Sequence, residues 1–377
     1  MNLQEGIMPK PNSSSDDIRF QHHTAILCFN IAPGTSRAAL LQGFDDLAQR
    51  IAIMKKGVPE ADQEPWLIKG DGRFHLTATW GFGASLFEKP ELGLAPFKPR
   101  GLRSMGPFPL EVHDADFDAS KGATDLLVQL SAKHPFPIFR AINSITKPGR
   151  LPFVLQSYHA GFKRADERGM LRFHDGTSNL SREEREQVVP VAAAQQNELE
   201  WCDGGSFMVF RKLREDVREW ESLTQDEQEV RIGRRKVDGC PLGAPAGQHR
   251  DDPQSRAPDF RGANAAVAPD SHLRKTNPQM GSRIFRRGWP YFDGFAPDGR
   301  MLAGLLFVSY QRDLSHFETI RNSWMPPGFP DGRAQADGIL RAGVIQLVTG
   351  GYYFVPPKPA RGEKFPGDSM LRRALVA

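Results

Sequence analysis

The chain has 377 residues, 39% hydrophobic and 25% charged, enough apolar matter for a sizeable core, and global disorder is excluded. This length favours two domains, or one domain built twice. Lysine plus arginine exceed aspartate plus glutamate by only 49 − 45 = 4, short of the clustered excess that nucleic-acid binding needs.

No run approaches the roughly 18 apolar residues of a membrane-spanning helix. The N-terminal MNLQEGIMPKPNSSSDD carries neither an apolar signal core nor a twin-arginine pair. The sequence therefore predicts a cytoplasmic protein with no nucleic-acid or membrane partner. Cys28, Cys202 and Cys240 are an odd number without metal-type spacing, and read as reduced thiols.

In chain order, residues 1–18 are polar and rich in Ser, Asp and Pro, and read as a flexible leader. His23–Ile31 reads as a strand, and Ser36–Lys55 as a helix carrying Leu40, Leu41, Phe44, Leu47, Ile51 and Ile53 at helical spacing. Phe74–Trp80 alternates like a strand and is closed by a turn at Gly81-Phe82-Gly83. A strand at Asp125–Leu130, a helix at Pro135–Ile145 and a strand at Phe153–Tyr158 complete the β-α-β-β-α-β order of a ferredoxin-like plait.

The second half repeats that order. Gly205–Arg211 is a predicted strand and Glu215–Leu223 an amphipathic helix; Thr224–Glu227 is a capping box that opens another helix toward Gly233. Gly304–Gln311 reads as a strand, Phe317–Met325 as a helix and Val344–Pro356 as ending in a strand. Cys240–Asp270 is a long aperiodic loop, and its far end needs an anchor. The predicted units are the leader at 1–18, an N-terminal domain at 19–195, a C-terminal domain at 196–360 and a peripheral tail at 361–377.

Three polar clusters interrupt the apolar segments. Phe173-His174-Asp175-Gly176-Thr177-Ser178-Asn179 places a carboxylate in what is, taken alone, a turn. Pro269 to Pro278 places His272 beyond the long loop beside Arg274 and Lys275, cations that disfavour imidazolium; a neutral imidazole there could ligate iron, although a single histidine taken alone is more often a surface or satisfied residue. In Arg283-Ile284-Phe285-Arg286-Arg287, strand alternation puts Arg286 and Arg287 on opposite faces, so one of them enters a given site, and periodicity does not say which.

Eight ordered segments then carry a resemblance: TWGFGASLF at 79–87, RFHDGTSN at 172–179, GGSFMVFRKLREDVREWE at 204–221, IGRRK at 232–236, SHLRKTNP at 271–278, RIFRRGWPY at 283–291, GLLFVSYQ at 304–311 and VTGGYYFVPP at 348–357. From about residue 23 to 357 the chain resembles the DyP-type (dye-decolourising) haem peroxidases. The resemblance implies an α+β fold of two ferredoxin-like domains, of the dimeric α+β barrel type, with haem b held mainly by the second.

It further implies that His272 is the axial iron ligand, that Asp175 is the aspartate of the family's GxxDG motif, and that Arg286 is the catalytic arginine. Leu305 and Phe307 match the apolar pair over the distal face. Arg234 matches a haem-propionate contact; a solvated surface arginine is the competing reading. Asn179 is expected either to fix the Asp175 loop beside the haem or to belong to the turn leading into the capping box Ser181-Arg182-Glu183-Glu184.

Two departures stand out. Arg172 replaces the first glycine of GxxDG, and the region before the last strand offers Gly343 and Gln346 where a carboxylate partner of the proximal histidine is sought.

The implied partners are hydrogen peroxide and an aromatic or dye reductant, with a homo-oligomer as a further expectation. A carboxylate base of ordinary pKa near 3.9 predicts activity peaking below neutrality. Trp289, Tyr291 and Tyr310 are candidates for relaying electrons to the surface. The alternative reading is a haem-binding or iron-release protein of the same fold with little peroxidase turnover; a cofactor-free ferredoxin-like module is the third.

Overall fold

The computed structural model describes residues 3–7, 21–56, 76–164, 166–175, 178–256, 258, 266–276 and 281–376. Among these residues nine strands form one antiparallel sheet: β1 (His23–Ile31), β2 (Thr77–Gly83), β3 (Leu126–Ala132), β4 (Phe153–Phe162), β5 (Ser206–Glu215), β6 (Phe285–Arg286), β7 (Trp289–Phe295), β8 (Met301–Gln311) and β9 (Ile345–Val355). The helices used below are α1 (Arg37–Lys56), α2 (Pro135–Ile145), α3 (Arg182–Val188), α4 (Val217–Ser222), α5 (Gln225–Ile232), α6 (His272–Lys275), α7 (Leu314–Thr319), α8 (Gly338–Arg341) and α9 (Asp368–Val376).

The spatial order is β4-β1-β3-β2-β9-β5-β8-β6, with β7 also paired to β8. Each half thus runs fourth, first, third, second, which is the order of a ferredoxin-like plait. The two plaits join where β2 meets β9, at Phe82 with Phe354 and Gly83 with Tyr353. At the other end of the sheet β4 lies against β7.

Strand alternation divides the sheet into two faces. Ile26, Cys28, Met208, Phe210, Leu306, Val308 and Tyr310 form a core on one face. Ala25, Leu27, Phe29, Phe207 and Val209 face the other way and belong to the core that includes α1 and α2 residues. On that second face the C-terminal plait turns from packing to a cavity, because Arg211, Leu213 and Glu215 of β5 and Leu305 and Phe307 of β8 line it.

Several expectations are corrected. Gly81 to Gly83 continue β2 instead of turning; a Cβ at Gly83 would sit 1.9 Å from the Thr124 carbonyl oxygen, so glycine there serves close approach. Glu215 ends β5, and α4 begins at Val217 behind the N-cap Asp216. The helix expected at Phe317–Met325 is α7 followed by a wide π turn at Ile320–Trp324.

The expected leader packs where it is described: Leu3 and Ile7 are buried, and Gln4 Nε2 donates to the carbonyls of Trp80 (3.2 Å) and Pro356 (2.9 Å). Residues 1, 2 and 8–18, and Phe74 and His75 of the expected second strand, lie outside the described residues. The tail is not peripheral. Phe365 stacks at 5.4 Å on Phe44 and 5.9 Å on Trp80, and Met370 and Leu371 of α9 are buried in the same core. Among the described residues no helix is long and apolar enough to cross a membrane.

Candidate active site

The cavity lies between the open face of the C-terminal plait and a helical layer that contributes Leu273, Phe317, Ile320, Met325 and Leu340. His272 enters from α6, whose N-cap Ser271 accepts the backbone N–H of Arg274. Its Nδ1 lies 2.8 Å from Asp337 Oδ2. Asp337 is fully buried, and its other oxygen caps α8 by accepting the N–H groups of Ile339 (2.9 Å) and Leu340 (3.3 Å).

A carboxylate accepts only, so Nδ1 carries the proton and Nε2 keeps its lone pair for a metal. Asp337 therefore supplies the acidic partner that was sought at Gly343 and Gln346. The sequence signal that could have found it is an aspartate opening Gly-Ile-Leu-Arg, an N-cap pattern.

Asp175 reaches the cavity from the loop that follows β4. Its backbone N–H donates to the Glu167 carbonyl at 2.9 Å, and Arg168 and His174 form a backbone bridge. Arg250 of the long loop fastens this turn through His174 and, at 2.9 Å, Glu167. Its Oδ2 lies 3.4 Å from where a Cβ on Gly288 would stand, and Leu305 Cδ1 lies 3.0 Å from the same point. The bare backbone of Gly288 thus leaves room for both.

Arg172 explains the motif's glycine. Its φ is 66°, in the left-handed region that costs a side chain about 1–2 kcal/mol. The side chain leaves the cavity altogether and pairs with Glu221 at 2.5 Å on the surface. Gly176 and Thr177 of the motif lie outside the described residues.

Tertiary structure also decides between the arginines. Arg286 lines the cavity, whereas Arg287 is buried on the other side, where it donates to the Gly6 carbonyl and Gln21 and lies 4.9 Å over the Trp289 ring. Asn179 does not line the cavity among the described residues. It grips the Arg286 backbone, with Nδ2 donating to its carbonyl (2.6 Å) and Oδ1 accepting its N–H (3.0 Å). Leu305 and Phe307 do line it.

Arg234 is buried rather than solvated. It donates to the carbonyls of Gly239 and Ser255 at 2.9 Å each and to Ser178 Oγ at 2.8 Å, which anchors the long loop. Burial, and then the neighbouring Arg286, push its guanidinium down to about 10. Trp289, Tyr291 and Tyr310 belong to the core on the far face of the sheet, and none of them lines the cavity.

These residues fit a haem. Arg234 and Arg286 are adjacent cations with no ion pair to a carboxylate among the described residues. Arg283, which also lines the cavity, pairs with Glu184 at 2.5 Å, while its Nε and that of Arg321 have no hydrogen-bond partner among the described residues. An apolar slot walled by guanidinium groups, two of them without a carboxylate partner among the described residues, suits a flat macrocycle bearing carboxylates. Among the described residues no group of three or more His, Cys, Asp or Glu could hold a bare metal ion.

A carboxylate-backed histidine on the helical side, facing an aspartate and an arginine against the sheet, defines an α+β haem protein equipped for peroxide chemistry. Comparison with known proteins agrees. Residues 19–163 match the N-terminal and residues 166–360 the C-terminal Dyp-type peroxidase family. A deferrochelatase of Escherichia coli (strain K12) is 31% identical over 364 residues, spanning 90% of this chain and 81% of that protein.

Among solved structures, an oxyferrous complex of DtpA from Streptomyces lividans matches with a TM-score of 0.75 and 28% identity over 93% of each chain. A DyP-type peroxidase from Streptomyces coelicolor matches with a TM-score of 0.76 and 27% identity, over 96% of this chain and 95% of that one. The chain belongs to the Dyp-type peroxidase family. It is a haem peroxidase.

Proposed function

We propose that His272 holds the haem iron through Nε2, that Arg234 and Arg286 meet its carboxylates or the bound peroxide, and that Asp175 and Arg286 carry the reaction with hydrogen peroxide. The observation that carries this reading is the 2.8 Å contact of His272 with the buried Asp337, which leaves Nε2 of a cavity-lining histidine bare. Bound haem supplies the redox centre that takes the oxidising equivalents of peroxide and passes them to a reductant.

Asp175 takes a proton from one peroxide oxygen and returns it to the other, so the second can depart as water. Arg286 offsets the negative charge on the departing oxygen, a donor role whose removal costs about a hundredfold to a thousandfold. Leu305 and Phe307 exclude water from these groups. Phenols, dyes and other bulky aromatic donors are the reductants that suit this reading, and they act from outside the cavity.

The test is absorption spectroscopy of purified protein titrated with peroxide. His272→Ala is expected to lose haem, whereas Asp175→Asn and Arg286→Leu keep it and slow peroxide cleavage at least about a hundredfold. Full haem occupancy in His272→Ala would overturn the assignment.

A second reading, release of iron from haem, is favoured by the deferrochelatases among the relatives. It predicts metal-free porphyrin fluorescence when haem-loaded protein is incubated with a reductant and no peroxide.

A further inference from the structure

Glu215 is the last residue of β5, with its side chain on the cavity face beyond Arg211 and Leu213. It is 8% exposed, and its Oε2 is buried with no hydrogen-bond partner among the described residues. The neighbouring strands offer it apolar company, Leu305 from β8 and Ile345 from β9.

The charged groups sharing the cavity include Asp175 from the linking loop, Arg286 from β6, Arg211 from β5 itself, Arg234, Arg283 and Arg321. Across the sheet Tyr291 of β7, pushed up first by burial, senses Asp293 and then Glu215 and Asp114, with Arg214 acting the other way. Burial first, and then the Asp175 charge, push the Glu215 carboxyl up to about 8. A buried carboxyl so placed is a neutral acid at pH 7.

Each peroxide consumes protons as well as electrons: H2O2 + 2 e− + 2 H+ → 2 H2O. Moving a proton between the two peroxide oxygens through Asp175 is neutral in this balance. Both protons must be brought in, and an aromatic donor too bulky for the cavity delivers its electron from outside.

We propose that Glu215 is the cavity's resident proton donor, neutral while Asp175 is charged, giving its O–H proton, once with each of the two electrons the aromatic reductant supplies, to the oxygen that leaves as the second water, and regaining a proton from solvent each time. This rests on the peroxidase reading of Asp175 and Arg286. It gives the two carboxyls different tasks: one shuttles a proton within peroxide, and the other imports one.

Infrared titration of the haem-loaded protein tests the protonation state directly. A carboxylic-acid C=O band should vanish on alkalinisation through about pH 8, be missing in Glu215→Gln, and vanish at lower pH in Asp175→Asn, where the repelling charge is gone.

Stopped-flow kinetics tests the role. Glu215→Gln should slow the reduction phase about a hundredfold, the peroxide phase less than about tenfold, and Glu215→Asp should recover part of the loss. A band that is insensitive to Asp175→Asn, or a wild-type reduction phase in Glu215→Gln, overturns the proposal. Unaltered peroxide cleavage in Asp175→Asn and Arg286→Leu would instead overturn the reading of those two residues, whatever Glu215 does.

Discussion

The side-chain amide of Asn179 holds the peptide of Arg286 from both sides, donating to its carbonyl at 2.6 Å and accepting its N–H at 3.0 Å. A third contact, from the Leu180 N–H to Asn179 Oδ1 at 3.1 Å, ties the same amide to its own chain. The loop that carries Asp175 and the strand that carries Arg286 are thereby locked in register. Neither oxygen nor nitrogen of the amide needs to touch a ligand for this to matter.

Asn179→Ala is expected to keep haem and lower peroxide cleavage by ten- to a hundredfold, because a displacement of about 1 Å in a positioned group can cost that much. Rapid-mixing rates normalised to haem content check it. Wild-type rates in the variant would show that the clamp is dispensable.

Asp337→Asn separates the two tasks of Asp337, since asparagine caps a helix as well as aspartate does. Haem affinity should weaken by about ten- to a hundredfold through the lost histidine partner, while the thermal midpoint of the haem-free protein stays within a degree or two. Haem titration and calorimetry on the same sample provide both readings.

Phe365→Ala should cost about 3–5 kcal/mol, the usual range for emptying a buried aromatic site. Its ring fills the space against Phe44 and Trp80 of the N-terminal plait. Urea unfolding checks this; a loss under about 1 kcal/mol would mean that the C-terminal segment is only loosely attached.

His159 governs part of the acid response. Burial, and then Lys212 and Lys121, push its imidazole down from 6.5 to about 3. Its stabilising effect is complete above pH 6.5 and is lost as pH falls toward 3, because the unfolded chain binds the proton first. In that window it contributes a slope of up to about 1.4 kcal/mol per pH unit. His159→Gln should flatten the stability profile there, as read by denaturation at a series of pH values.

Local patterns were legible where local forces decide the outcome. His23–Ile31 and Pro135–Ile145 form the expected strand and helix, and both capping boxes close as expected, Ser181 with Glu184 and Thr224 with Glu227. Gly81 and Gly83 read as a turn because glycine marks turns, but here it admits Tyr353 and the Thr124 backbone against β2. In the tail, prolines and basic residues obscured an apolar set, Phe365, Met370, Leu371 and Leu375, that the N-terminal core buries.

By itself the sequence determined the repeated strand and helix order, the apolar alternation that gives each strand two faces, and the motif residues that carry the family resemblance. Folding decided what depends on distance through space. His272 meets a carboxylate 65 residues away, Arg286 and not Arg287 faces the cavity, Asn179 grips a backbone 107 residues away, and Glu215 leaves its expected helix to end a strand beside Asp175. Hydrogen bonds and desolvation act over a few ångströms, and only the packed sheet sets which residues come that close.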